Sequence, residues 1–279
     1  MAKLDKSRYS KEEYRRLKAQ EKANKRALKA GAPVEQVKIK DPVPDNNYIL
    51  CVKHGTKYSA DYVNKLYNMV SRNCNLKFEF CCLTDDHKDL NPNIQVIPLP
   101  QFLQGWWCKP YIFSNLPIRG TILYLDLDVV IANNIDNLFT YCPNDWCVIR
   151  DFTRAIRPEW KKYNSSVIRF KTGQLIKLWK EYATDWQAIQ SRFFGDQDWL
   201  YEASTKAGIP GNLFPDNWIR SWKWEIRRSK EFAAGSAKGS RVFKDIEHVE
   251  PQKDCIIAVF HGDPNPHNCK DPWVINNWR

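Results

Sequence analysis

The stretch that decides the fold is ILYLDLDVVI, residues 122–131. Apart from Asp126 and Asp128 it is apolar throughout, which is typical of a central strand buried on both faces. Residues two apart on a strand point to the same face, so we expect the two carboxylates to project together. In an apolar environment such a pair either binds a proton or is bridged by a cation, and a divalent metal could also hold two phosphates. The alternative is a solvated strand end with two unrelated acids.

The segments around this stretch alternate between strand and helix patterns. The pattern predicts strands over 48–52, 78–83 and 121–130, a helix near 109–115, and an amphipathic helix with Tyr62, Leu66, Met69 and Val70 on one face. This order predicts an α/β fold with a mostly parallel central sheet flanked by helices. Ligands of such sheets bind beyond the carboxyl ends of the strands, where Asp85, Asp86 and Asp126 fall.

The positive charge of the chain is concentrated at its N-terminus. Of the net charge of +11, residues 1–40 carry 13 basic and 5 acidic groups, which is 13 − 5 = +8. We therefore expect a charged helical extension over 1–47 and a globular domain over 48–279. The extension could be a solvated tail, a surface for nucleic acid or an acidic partner, or an oligomerisation helix.

Compartment is indicated by apolar runs and cysteines. No run approaches the roughly 18 apolar residues of a membrane span, and the N-terminus lacks the apolar core of a signal peptide. The nine cysteines include no CxxC pair, which favours reduced thiols. These features predict a protein without a membrane span that stays in the cytoplasm, or in the host cytoplasm if it is viral.

Five further segments occur around residues 122–131 in a fixed order: 107–111 (WCKPY), 134–139 (NIDNLF), 163–167 (YNSSV), 195–198 (GDQD) and 260–262 (FHG). Together they resemble the glycogenin-like family-8 glycosyltransferases of the GT-A (Rossmann-like) fold, over roughly residues 48–270. The chain is more similar to divergent microbial or viral members than to glycogenin itself. The resemblance implies metal-dependent hexosyl transfer from a nucleotide sugar, most simply a UDP-sugar, with retention of anomeric configuration. The acceptor, whether glycan, protein or small molecule, is left open.

The resemblance also assigns roles to residues. It implies that Asp126, Asp128 and His261 hold Mn²⁺ or Mg²⁺, for which two carboxylates and an imidazole are suitable ligands. The donor would contact Lys109 at its phosphates and Asn164 and Ser165 at its sugar, while Asp196 and Gln197 would face the reacting sugar. The remaining donor contacts implied are Thr56 and Tyr58 for the nucleoside, Asp85 or Asp86 for the base, and Leu127 and Gly262 beside them.

Several of these residues have simpler interpretations. Lys109 could be a surface lysine, and His261 could cap the strand that precedes it. Asn164 could belong to a turn and Asp196 could be a helix N-cap.

The sequence departs from the family at two positions. Asn265 stands where the family has a lysine on the diphosphate, and Ser166 stands where it has a glycine. Lys109, His267 or Lys270 could compensate for the missing lysine, and the sequence leaves the choice open.

Three other functions compete with sugar transfer. A nucleic-acid-binding protein is suggested by the basic tail and by Trp218, Trp222 and Trp224 among Arg220, Arg227 and Arg228, but it leaves the acidic pair unexplained. A sugar nucleotidyltransferase would need a more glycine-rich loop than residues 53–58. An inactive relative is disfavoured by the intact Asp126, Asp128 and His261. The acceptor side is predicted in 140–160 and 210–250.

Overall fold

The computed structural model of the chain describes residues 46–227 and 250–279. Its centre is a seven-stranded sheet of β1 (Asn46–Lys53), β2 (Phe78–Thr84), β3 (Gln95–Pro98), β4 (Gly120–Leu125), β6 (Cys147–Arg150), β7 (Tyr163–Lys171) and β8 (Asn212–Leu213), in the order β3-β2-β1-β4-β7-β6-β8. Only β7 runs antiparallel to its neighbours β4 and β6. The predicted α/β fold with a mostly parallel sheet is therefore confirmed.

Alternate residues of the central strands enter two different cores. On β1, Ile49 and Cys51 face one core and Tyr48 and Leu50 face the other. The adjacent cysteines of β2 divide in the same way, with Cys81 in one core and Cys82 in the other. Both faces of the sheet are thus covered, as expected for a parallel sheet.

Helices cover each face of the sheet. The first core is closed by α1 (Ala60–Asn73), whose predicted apolar face is buried at all four positions. The second is closed by α3 (Ile176–Arg192), α4 (Asp196–Lys206) and a 3₁₀ helix, Gly105–Phe113, where an α-helix near 109–115 was predicted. Short helices α2 (Asp136–Thr140) and α5 (Pro272–Asn277) complete the set, together with 3₁₀ turns at Phe152–Ala155 and Pro266–Asn268.

A second, three-stranded sheet corrects the prediction for residues 121–130. The predicted single strand is wrong, because β4 ends at Leu125 and β5 (Val129–Ile131) pairs instead with β10 (Ile257–Val259), which lies beside β9 (Ile219–Ser221). Asp126 and Asp128 therefore lie in the turn between the two sheets. A continued strand would carry both carboxylates into the core that holds Ile122 and Tyr124, and burying them without partners is costly.

Two further observations concern the described residues alone. No helix within 46–227 and 250–279 is long and apolar enough to cross a membrane. The predicted extension over 1–47 lies almost wholly outside these residues, so its helix and its boundary remain predictions.

Candidate active site

The candidate site lies at the carboxyl end of β4. Leu125 of β4 pairs with Val167 of β7, and the backbone N–H of Asp126 continues the ladder by donating to the Ser166 carbonyl at 2.9 Å. Because β7 is antiparallel, its first residues, including Asn164 and Ser165, lie at this same edge of the sheet. This is the position that doubly wound α/β folds use for ligands.

Lys109 joins three elements in a buried polar cluster. Its Nζ lies 3.0 Å from Asp126 Oδ1 and 3.4 Å from Asp196 Oδ2, and it donates to Ser165 Oγ at 2.9 Å. The Ser165 hydroxyl in turn donates to Asp196 at 2.6 Å. Burial alone would lower the pKa of Lys109, but the charges of Asp126 and Asp196 outweigh it and hold the pKa above its usual value. The interpretation of Lys109 as a surface lysine is wrong.

Asp196 is the first residue of α4 and not its N-cap, which is Gly195. Its side chain points into the cluster, where burial raises its pKa and Lys109 and Ser165 oppose that shift. The contacts of its carboxylate with Lys109 and Ser165 hold the side chain in place and favour its charged form. Asp196 is therefore a negative charge whose position is fixed.

Asp128 is less well balanced than Asp126. Its Oδ2 accepts one hydrogen bond, from the Tyr58 hydroxyl at 2.9 Å. Asp126, by contrast, accepts from the Tyr124 hydroxyl at 2.5 Å as well as from Lys109. Burial, reinforced by repulsion from Asp126, raises the pKa of Asp128 to about 7. A proton or a cation at Asp128 is therefore favourable near neutral pH.

A cavity of about 310 Å³ opens in front of these carboxylates. Its walls mix apolar and charged side chains from the loop after β1, the 3₁₀ helix and the β4–β5 turn: Val52, His54, Lys57, Tyr58, Gly105, Trp106, Lys109, Tyr124, Asp126, Leu127 and Asp128. Several of its lining residues are those that the resemblance predicts for the donor, so we call it the donor cavity, and that role remains a prediction. Of the residues predicted for the nucleoside, Tyr58 lines it.

Thr56, Asp85 and Asp86 lie outside the lining of this cavity and are exposed. The carboxylate of Asp85 accepts from the Gly55 backbone N–H at 3.1 Å and so shapes the loop after β1. The Asp86 carbonyl accepts from Lys53 Nζ at 3.3 Å. Their predicted contacts with the nucleoside and base remain predictions.

A second cavity, of about 340 Å³, lies next to the predicted sugar-facing residues. Its lining is rich in aromatic and amide or carboxylate groups: Asp151, Phe152, Thr153, Trp160, Lys162, Asn164, Gln197, Asp198, Trp224 and His261. Part of its lining falls in the segments predicted for the acceptor, so we call it the acceptor cavity, and that role remains a prediction. Asn164 lies on β7 and not in a turn, and its Nδ2 donates to Gln197 Oε1 at 3.2 Å.

His261 approaches the acidic pair through its backbone, while its ring faces the acceptor cavity. The backbone N–H of the preceding Phe260 donates to the Asp128 carbonyl at 2.9 Å. The ring itself stacks on Phe152, with centroids 5.4 Å apart, and its Nε2 hydrogen-bonds Ser221 Oγ at 2.7 Å. Burial, with a smaller effect of Lys223, lowers the pKa of His261 to about 4, so the imidazole is neutral near pH 7.

The residues present fit a divalent cation in part. Asp126 and Asp128 offer oxygen ligands and excess negative charge, and a neutral His261 held at Nε2 by Ser221 leaves Nδ1 as the ring nitrogen for a metal. Among residues 46–227 and 250–279, however, no three His, Cys, Asp or Glu side chains come close enough together to form a metal site. The pair thus fits a cation, while the participation of His261 remains a prediction.

Lys223 was not found by sequence analysis. It lies on a π-helix, Trp222–Ile226, and only 6% of its surface is exposed. Burial lowers the pKa of Lys223, and the negative charges of Asp263 and Asp128 partly oppose that shift. In the sequence, Trp222 and Trp224 were the candidate binding residues of this segment. In the structure Trp222 is fully buried, and Trp224 contacts the His261 ring edge-on.

Comparison with solved structures identifies proteins of similar fold. The fold is similar to that of the galactosyltransferase LgtC, solved with donor and acceptor sugar analogues, with a TM-score of 0.53 and 12% identity, covering 82% of this chain and 93% of LgtC. It is also similar to the bifunctional glycosyltransferase WbbM (TM-score 0.56, 12% identity, 85% of this chain and 50% of WbbM). The glycosyltransferase GlyE of Streptococcus pneumoniae TIGR4 gives a TM-score of 0.55 at 13% identity, covering 84% of this chain and 62% of GlyE.

The chain therefore has the fold of the GT-A glycosyltransferases. No protein-family model matches it. No curated protein matches it either.

Proposed function

We propose that this protein transfers a sugar from a nucleotide-sugar donor to a carbohydrate acceptor. The observation that carries the proposal is the buried cluster of Asp126, Lys109, Ser165 and Asp196 at the ligand-binding edge of a GT-A sheet, of which Asp126 and Lys109 line the donor cavity. A fold with many relatives does not specify a reaction, so the argument depends on this site.

The donor cavity suits a nucleoside diphosphate sugar. Tyr58 and Trp106 offer aromatic surface for a base, and Lys57 offers a positive charge for phosphate. We infer that the donor is a UDP-sugar, as the family resemblance implies, and that the transferred group is a hexose.

A divalent cation fits the proposal through Asp126 and Asp128, with His261 as the predicted third ligand. When bound, such an ion stabilises negative charge on the departing phosphate. In the reaction, the bond between the anomeric carbon and the phosphate oxygen breaks and its electron pair leaves with the nucleoside diphosphate. The acceptor hydroxyl oxygen forms the new bond to the anomeric carbon and its proton passes to the departing diphosphate, with retention at the anomeric carbon as the resemblance implies.

The protein's own groups account for the remaining requirements. Asp196 is bound to Lys109 and Ser165, so it acts as a fixed charge that stabilises the positively charged sugar and not as a nucleophile. Asn164 and Gln197, bonded to each other at the inner end of the acceptor cavity, position the two sugars. Trp160 and Trp224, both partly exposed in the acceptor cavity, provide apolar faces for an acceptor sugar ring.

The test is incubation with a panel of nucleotide sugars and Mn²⁺, with release of nucleoside diphosphate as the readout. We expect one donor, most simply a UDP-sugar, to be hydrolysed or transferred only when metal is present. Asp128→Asn should abolish the metal-dependent reaction while leaving the fold intact by circular dichroism. Wild-type turnover by this variant with Mn²⁺ would disprove the assignment of Asp128.

A further inference from the structure

Lys223 is a buried cation placed beside the acidic pair. Its Nζ lies 3.2 Å from the position that a Cβ on Gly262 would occupy, so the ammonium group packs closely against the backbone there. Its charge interacts with those of Asp128 and Asp263, and it lies close enough to His261 to lower the pKa of that imidazole.

The backbone that carries Lys223 is firmly held. Glu225, two residues along the π-helix, accepts from Ser221 N at 2.8 Å and from the Arg154 guanidinium at 2.9 and 3.0 Å. Arg154 is itself buried and also donates to the Ile219 carbonyl at 2.6 Å. The position of Lys223 is therefore determined by the fold and not by a loose surface loop.

The ammonium group of Lys223 lacks a partner among the described residues. Within 46–227 and 250–279 no carboxylate oxygen lies within 4.0 Å of its Nζ, and no acceptor forms a hydrogen bond with it. The ammonium nitrogen is nevertheless not one of the fully buried polar atoms, so it remains accessible to water and to a ligand. An accessible ammonium beside the acidic pair, paired with none of the residues in 46–227 and 250–279, can bind an anionic ligand.

The three residues that could compensate for the missing lysine are occupied or exposed, and Lys57, in the donor cavity, is a further cation that a phosphate can reach. Lys109 Nζ is already bound to Asp126, Asp196 and Ser165. His267 Nδ1 forms a short hydrogen bond with the Tyr62 hydroxyl. Lys270 is exposed.

We infer that Lys223 binds the terminal phosphate of the donor's nucleoside diphosphate, in the role left open by Asn265, and stabilises it as the leaving group. This inference rests on the proposed function. It makes Lys223 a residue that contacts substrate, and it identifies the anion that the site requires as a diphosphate and not a monophosphate.

The test compares Lys223→Met with the wild type and with Lys270→Met as a matched control. Affinities for UDP and UMP, and for GDP and GMP, are measured by calorimetry in EDTA, so that the readout does not depend on turnover or metal. We expect Lys223→Met to weaken diphosphate binding about 10- to 100-fold and to leave monophosphate binding within about threefold, as for loss of one hydrogen bond to a charged group. Lys270→Met should bind both as the wild type does.

Folding is controlled in the same experiment. Because burial disfavours the charged ammonium and none of the residues in 46–227 and 250–279 pairs with it, Lys223→Met should have a melting temperature equal to or above that of the wild type.

The outcomes separate the two proposals. A wild-type protein that binds neither UDP nor GDP, in EDTA or after Mn²⁺ is added, contradicts the proposed function, and the inference about Lys223 with it. If Lys223→Met binds the diphosphates as tightly as the wild type does, the inference about Lys223 is overturned and the proposed function is not affected. Equal losses of diphosphate and monophosphate affinity, accompanied by a lower melting temperature, would make Lys223 a structural residue and also overturn it.

Discussion

Two buried lysines belong to this site, and they differ in almost every contact. Lys109 is bound by Asp126, Asp196 and Ser165, and its pKa is held above the usual value. Lys223 is equally buried, yet within the described residues it has no such partner and its pKa is lowered. The comparison suggests that one cation holds the site together while the other is kept available for a ligand.

The largest effect expected from this comparison is the loss of the Lys109 charge. Lys109→Met would leave Asp126 and Asp196 buried without their counter-charge, and breaking a buried pair in this way costs about 3–5 kcal/mol. Urea unfolding should therefore show a much less stable protein, whereas Lys223→Met should be as stable as the wild type or more so.

A surface pair provides the control for Lys109→Met. Lys162 lies 3.3 Å from Asp198, but 44% of its side chain is exposed. Lys162→Met should change the free energy of unfolding by less than about 1 kcal/mol. If Lys109→Met were equally mild, the interpretation of Lys109 as the residue that holds the cluster together would be wrong.

The next effect concerns Asp128, the carboxylate that Lys109 does not reach. Its folded-state pKa of about 7 is above the unfolded value of about 3.9, so the folded state binds the proton more tightly. The stability that this provides is complete below pH 4 and is lost as the pH rises to 7. Asp128→Asn in EDTA should therefore be more stable than the wild type by about 1–2 kcal/mol at pH 8, and similar to it at pH 4.5.

Urea unfolding at the two pH values measures this difference, and Mn²⁺ provides the control. A bound cation relieves the same repulsion, so Mn²⁺ should stabilise the wild type at pH 8 and have little effect on Asp128→Asn. If Asp128→Asn is less stable than the wild type at pH 8, then the ionised carboxylate of Asp128 does not destabilise the folded state, and this interpretation is wrong.

The two lysines also mark how far the sequence could predict the molecule. Local patterns were sufficient for α1 and for β1 and β2, because periodicity determines which side of an element is buried. Lys109 could be assigned a role because it lies in a recognisable segment, WCKPY. Lys223 lies between two tryptophans, and its burial against Gly262 depends on a distant segment of the chain that no local pattern reveals.

The prediction of a single strand over residues 121–130 was wrong because strand pairing, too, depends on distant segments of the chain. Their apolar pattern predicts burial correctly, but it does not indicate that β5 pairs with β10 in a different sheet. The orientation of His261 follows from this pairing and from Ser221 and Phe152, which are distant in sequence. Positions determined by long-range pairing can be proposed from a family resemblance, but periodicity alone does not give them.

The smallest expected effect is a pH dependence of stability that comes from His261, whose pKa is lowered by burial and by Lys223. The folded-state pKa of about 4 is below the unfolded value of about 6.5, so stability is complete above pH 6.5 and is lost as the pH falls to 4. Asp128 has the opposite dependence over this window, so Asp128→Asn is the background in which His261 is measured. There, stability should fall by about 1 kcal/mol between pH 7 and pH 5, and adding His261→Gln should remove that slope.

The charge of Lys223 also affects the pKa of His261. Because its charge contributes to lowering the pKa of His261, Lys223→Met should raise that pKa, whereas Lys270→Met should leave it unchanged. The pKa is read directly from the imidazole proton resonances in a pH titration by NMR. If the pKa of His261 is the same in Lys223→Met as in the wild type, the Lys223 ammonium is screened from the site. Lys109 would still hold the cluster together, but Lys223 would no longer be a cation available to a ligand there.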